Sequence, residues 1–213
     1  MKRSGAIGGS TKGAKMTKSS PDFRRTAVTA VLVALAFLGT MFIRIPIPAT
    51  NGYFNVGDMF VILAGVWLGP WRGLLVGALG PAAADAIGFP QFILATAVTK
   101  GLEGFFVGLV AKSVREQGIG ISAIAGVIGG AIMVAGYFVF EAVIYPWLGQ
   151  SISFFNVTDL GAAIAELGPN SVQAVIGFVG GVALWRMLTG GRQTRGSTLE
   201  DESSSENPTA TPS

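Results

Sequence analysis

The 213-residue sequence contains no cysteine and no histidine. Without cysteine there is no disulfide and no thiolate nucleophile or metal ligand. Without histidine the commonest general base and the commonest zinc ligand are missing, which excludes His-based triads and the H-E-x-x-H metalloprotease motif. Charge is scarce too: Asp, Glu, Lys and Arg make up 13% of the chain, where soluble domains carry roughly 25%. A water-facing surface is hard to build from such a composition. No nucleotide-hydrolysis signature is present either. GGSTKGAK at 8–15 has the spacing of P-loop glycines, but Ala14 stands where the lysine belongs and no strand precedes it.

What the chain has is apolar length. Half of its residues are hydrophobic and 31 are glycine, the composition of an integral membrane protein whose small residues let helices approach closely. Six apolar segments follow one another, over 26–45, 56–68, 73–87, 92–111, 119–144 and 169–188. The second and third are shorter than the roughly 20 residues a bilayer core requires. The expected fold is therefore all-α, a bundle of six transmembrane helices. A basic arm (1–25) precedes the membrane domain (26–189) and a polar tail (190–213) follows it; arm and tail are expected to be disordered. Neither a cleavable signal peptide nor a catalytic apparatus is apparent, and no enzyme activity is expected.

Orientation follows from the 15 Lys and Arg residues. With six crossings, all but Arg44 and Lys100 fall on one side, which the positive-inside rule makes cytoplasmic for both termini. The polar stretch ATNGYFNVGD at 49–58 then faces outward. Pro46 and Pro48 end the first helix and Asn51-Gly52 is a strong turn dipeptide, so the stretch is either a connector or part of a site.

Several polar residues lie where lipid is expected. Lys100 and Glu103 share one helical face in mid-span, where a charge costs at least about 2.5–3.5 kcal/mol. They are either a buried pair ordering the bundle or the lining of a solute site. Asp58 opens the second span and either caps it or meets ligand. Asn51, Asn55, Asp58, Asp85, Glu141, Asn170 and Gln173 all map to the outer half, and an outward-facing polar pocket accounts for them together. Tyr53, Phe54, Tyr137, Trp147, Phe154 and Phe155 are either interface anchors or ligand platforms. Gly69, Gly73 and Gly77, then Gly104 and Gly108, repeat at four and are expected to pack within the bundle, while Ala30 and Ala34 form A-x-x-x-A on the first span.

Positions 52–110 carry, in order, N-x-G-D, L-G-P-x-x-G-x-L-V-G-x-L-G, A-x-D and K-G-L-E-G-x-x-x-G. In these motifs and in its six-span layout over 23–190, the chain resembles the substrate-binding S components of energy-coupling factor (ECF) transporters. The resemblance implies a subunit of a prokaryotic cell membrane that captures a water-soluble vitamin or precursor. It implies docking on a transmembrane T component and two ABC-type ATPase subunits, whose ATP hydrolysis topples the S component so that its pocket opens inward. It puts the pocket in the outer half, under the loop after span one and among spans four to six, and it puts Ala30 and Ala34 against the T component. Segment 52–110 most resembles the branch associated with riboflavin or a thiamine-related pyrimidine. The N-terminal histidine of nickel and cobalt members is absent, so no metal and no cofactor are expected. The expected site comprises Asn51, Tyr53, Asn55, Asp85, Lys100, Glu103, Tyr137, Glu141, Asn170 and Gln173. The competing reading is a stand-alone secondary transporter in which Lys100, Glu103 or Asp85 couples solute to an ion. No feature suggests a nucleic-acid partner.

Overall fold

A computed structural model describes residues 21–47, 52–113 and 119–205; for Pro21, Ile47, Gly52, Ile119 and 190–205 only the backbone is described. Asn51 lies outside the described residues. The chain folds as helical rods: α1 (Pro21–Phe42), α2 (Asp58–Leu68), α3 (Pro70–Gly88), α4 (Ile93–Ser113), α5 (Ile119–Val139) and α7 (Leu160–Ser205). A π-helical turn, Phe140–Ile144, extends α5 without a break into the short α6 (Tyr145–Gly149). The rods over 22–42, 90–113, 120–149 and 160–189 are long and apolar enough to cross a membrane. Helix α2, with 11 residues, rises only about 16 Å at 1.5 Å per residue.

The chain reverses between α2 and α3 within one residue. Gly69 adopts φ +89°, a conformation costly to a residue with a Cβ, and Pro70 then supplies a preset φ to the first turn of α3. This turn lays α3 against α4. A Cβ on Gly77 would stand 2.0 Å from the Lys100 carbonyl oxygen, and one on Gly73 would stand 2.2 Å from that of Gly104. The four-residue glycine repeats thus join two helix backbones directly. Beyond this seam, Leu32, Ile62, Val66, Val76, Val107, Ala125 and Trp185 form one apolar core. Phe92, Ala95, Phe140 and Tyr145 form a second, towards the opposite end.

Three details depart from the sequence expectation. The segment after α1 is a two-stranded antiparallel hairpin, β1 (Ile45–Ile47) with β2 (Gly52–Phe54), pairing Pro46 with Tyr53. Pro46 is tolerated because an edge strand can do without its N–H. The last rod begins at Leu160, nine residues before Pro169, which lies inside it. Asp159 sets this start, its Oδ1 accepting the Ala162 N–H at 2.8 Å. Finally, α2 has no side-chain cap, and the Asp58 carboxylate turns inward.

Candidate functional site

Asp58 explains what the buried charges do. Its Oδ1 meets the Lys100 ammonium directly, and its Oδ2 accepts the Gln173 side-chain N–H at 2.9 Å. Glu103 Oε2 stands 3.6 Å from the same ammonium, an ionic contact longer than a hydrogen bond. All three charged groups are essentially shut off from solvent, at 1% exposure or less. A lone charge there is costly enough that burial requires pairing. The network continues outward. Gln173 Oε1 accepts the Asn55 backbone N–H at 2.9 Å, and Asn55 Oδ1 accepts the Gly57 N–H at 2.8 Å. Thr40 Oγ1 reaches the same Asn55 oxygen at 3.4 Å. Helices α1, α2, α4 and α7 are thereby tied to the root of the hairpin through polar contacts.

Directly above this brace lies a cavity of about 30 Å³. Tyr53 and Asn55 enter it from the hairpin and its exit, Asp85 from α3, Phe92 from the 3-10 turn before α4, and Thr96 from the first turn of α4. Tyr137 and Glu141 enter from α5 and its π turn, and Glu166, Asn170 and Gln173 from α7. The lining is rich in acceptors and holds three carboxyl groups. Glu141 and Glu166 are close enough to interact, and Asn170 Nδ2 reaches Glu166 at 3.4 Å. Thr96 and Tyr137 hydroxyls lie 2.9 Å apart. Two buried acceptors, Asp85 Oδ2 and Glu141 Oε2, have no hydrogen-bond partner among the described residues. Buried acceptors without partners are rare and costly in native proteins, so this lining is built to receive donors.

Local chemistry aims Glu141. Pro146 has no N–H to continue an α-helix, and the preceding Tyr145 N–H donates to the Phe140 carbonyl, five residues back. The Glu141 carbonyl is thereby freed and accepts the Thr158 hydroxyl at 3.1 Å. The extra residue in this turn rotates Glu141 relative to a regular helix, and π turns of this kind recur at functional sites. Tyr145 in turn accepts the Ala95 N–H at 3.2 Å, fixing the start of α4.

The cover is latched. The Tyr53 hydroxyl donates to Asp85 Oδ1, while Arg44 donates to the Thr40 carbonyl at 3.0 Å and to the Ala84 carbonyl at 2.7 Å. The Arg44 guanidinium also lies 4.8 Å from the centroid of the Tyr53 ring and 5.2 Å from that of Phe89, within cation–π range. Burial, reinforced by the neighbouring Asp85 carboxylate, pushes the Tyr53 phenol well above its ordinary range. The phenol therefore stays a donor.

Of the expected site residues, Tyr53, Asn55, Asp85, Tyr137, Glu141, Asn170 and Gln173 share this cavity. Lys100 and Glu103 do not line it; they brace its floor. Of the remaining aromatics, Trp147 and Phe154 are exposed, and Phe155 stacks on Tyr145 at 5.6 Å. Thr96, Phe92 and Glu166 were not anticipated. Glu166 had a readable signal, the cap at Asp159 that makes 160–168 helical. Phe92 and Thr96 had none, because a Phe and a Thr near the start of an apolar helix look like ordinary packing residues. Ala30 and Ala34 are exposed on the outer face of α1.

Comparison with known proteins adds a lineage. The family model for the ECF-type riboflavin transporter, S component, matches residues 22–189. An uncharacterized protein from Pyrococcus woesei is 40% identical over 149 residues, covering 70% of this chain and 90% of that protein. The thiamine precursor transporter HmpT of Lactococcus lactis subsp. cremoris is 26% identical over 161 residues, covering 74% of this chain and 83% of its own.

Proposed function

The chain belongs to the ECF-type riboflavin transporter S-component family, and from that premise we propose that it captures a water-soluble vitamin or precursor for an ATP-driven importer. The observation that carries this reading is the acceptor-rich cavity enclosed under a latched hairpin, with Asp85 Oδ2 and Glu141 Oε2 lacking a hydrogen-bond partner among the described residues. In this reading the chain crosses a prokaryotic cell membrane six times, with its basic end in the cytoplasm and the hairpin outside. A T component and two ABC-type ATPase subunits complete the transporter, and the exposed Ala30 and Ala34 offer the T component a small-residue surface.

The lining also bears on the ligand. A space of about 30 Å³ holds one or two waters, whereas ligand pockets run to about 300–1,000 Å³. Binding therefore requires the hairpin to lift and the walls to part. A compact ligand demands less of this movement. Converging carboxyl groups in a dry site are stabilised by a donor placed between them. Both considerations favour a small aminopyrimidine; the Lactococcus relative is named for a thiamine precursor. Riboflavin is larger and requires a wider opening. Small molecules released from the purified protein and identified by mass spectrometry test the proposal. An aminopyrimidine is the expected finding. Riboflavin would overturn the substrate assignment, and a preparation that neither retains nor binds any vitamin would overturn the function.

A further inference from the structure

A second recess lies at the other end of the molecule, away from the hairpin. It has a volume of about 620 Å³ and is formed where the start of α1, the α2–α3 reversal and the end of α4 meet. Arg25, Arg72 and Lys112 line it, and no acidic residue does. None of the three cations forms an ion pair among the described residues. The rest of the lining is Val66, Leu68, Gly69, Pro70 and Gly108, flanked by Trp67 and Trp71. Trp71 is 71% exposed and leans edge-on against Phe105 at 5.2 Å.

The depth and surroundings of this recess point to one occupant. Trp side chains collect at the boundary between hydrocarbon and headgroups. From the recess, an exposed apolar strip runs along the outer surface through Leu75 and Leu79 of α3 and Leu102, Phe106 and Leu109 of α4. An amphiphile with an anionic head and apolar tails matches both parts at once: the head among three cations that form no ion pair among the described residues, the tails along the strip. A soluble anion would use only the first part. We propose that this recess binds the phosphate-bearing headgroup of an anionic phospholipid, anchoring the basic end of the bundle in its leaflet. Basic recesses between membrane helices are suited to such headgroups, and Arg adds bidentate contacts to phosphate oxygens.

The test uses the full chain and native mass spectrometry after extraction from vesicles of mixed phosphatidylglycerol and phosphatidylcholine. The wild-type protein is expected to retain phosphatidylglycerol in clear preference. The paired substitution Arg72→Gln with Lys112→Gln is expected to reduce that preference roughly tenfold or more, on the scale of two lost surface charges. Lys112→Gln alone, at an exposed helix end, gives a smaller loss and guards against a folding defect in the pair. Arg186→Gln, outside the recess, should leave retention unchanged. Equal retention of the two lipids by the wild type would overturn the proposal. So would displacement of phosphatidylglycerol by inorganic phosphate at equal concentration, the mark of a soluble-anion site. A third contrary result is unchanged lipid retention in the paired variant together with loss of association with a partner protein, because the cations would then serve protein docking.

Discussion

Lys100 stands between two carboxylates, and its removal is the most damaging single change the structure suggests. Lys100→Met leaves Asp58 and Glu103 buried without a cation. Breaking a buried pair in this way costs about 3–5 kcal/mol, so the melting temperature of the purified protein should fall steeply. An unchanged melting temperature would mean that the ammonium is not the counter-ion of these groups. In the proposed function Glu141 and Tyr53 act on ligand instead. Glu141→Gln keeps shape but turns one carboxyl oxygen into an amide donor, and a buried ligand donor left without its acceptor costs about 1–3 kcal/mol. Tyr53→Phe keeps the ring beneath Arg44 and loses only the bond to Asp85. Its expected signature is faster ligand association and release in stopped-flow measurements; unchanged rates would show that the hairpin is held closed by something else. These roles were only partly legible. Lys100 and Glu103 announced themselves as charges in an apolar run, yet Asp58, the closer partner of Lys100, is 42 residues away in sequence, and no local pattern links them.

At the scale of elements, the helices were legible because apolar runs of this length have few other solutions in lipid. Their ends were less so. Pro169 invited a boundary because the residue before a proline disfavours helix, but the cap at Asp159 had already started the rod. That single misplacement hid Glu166 from the expected site. The hairpin was hidden for a different reason: Pro46, Pro48 and Asn51-Gly52 are turn chemistry, and strands of three residues leave almost no periodicity to read. The π turn was equally silent, although Pro146 marks its cause. Pro146→Ala restores an N–H and permits a regular helix, which would turn Glu141 away from the cavity. Weaker ligand binding with unchanged helix content, measured by titration and circular dichroism, is the expected outcome. Full affinity would show that the π turn does not set the Glu141 geometry. The α3–α4 seam has its own test, since the Gly77→Ala methyl would press on the Lys100 carbonyl. Strain of this kind typically costs about 1–3 kcal/mol and should lower thermal stability.

At the scale of the whole molecule, the two ends differ in chemistry. One carries Arg25, Arg72 and Lys112 around an open recess, and the other encloses acidic and amide side chains under a hairpin. This polarity is visible in the distribution of Lys and Arg along the sequence, because basic residues sort to one face of a membrane. The geometry of the enclosed site was not visible, since it needs residues from α3, α4, α5 and α7 at once. Ala34→Leu on the outer face of α1 should impair assembly with a T component while ligand binding persists. Loss of binding instead would place Ala34 in the integrity of the bundle. The central claim is that the acceptor-rich cavity captures a vitamin-type heterocycle. Equilibrium titration of the purified protein with a thiamine-precursor aminopyrimidine, alongside its Glu141→Gln variant, tests it most directly. Saturable binding by the wild type, weakened about tenfold or more in the variant, is the predicted result. Equal affinity of the two proteins would contradict the account.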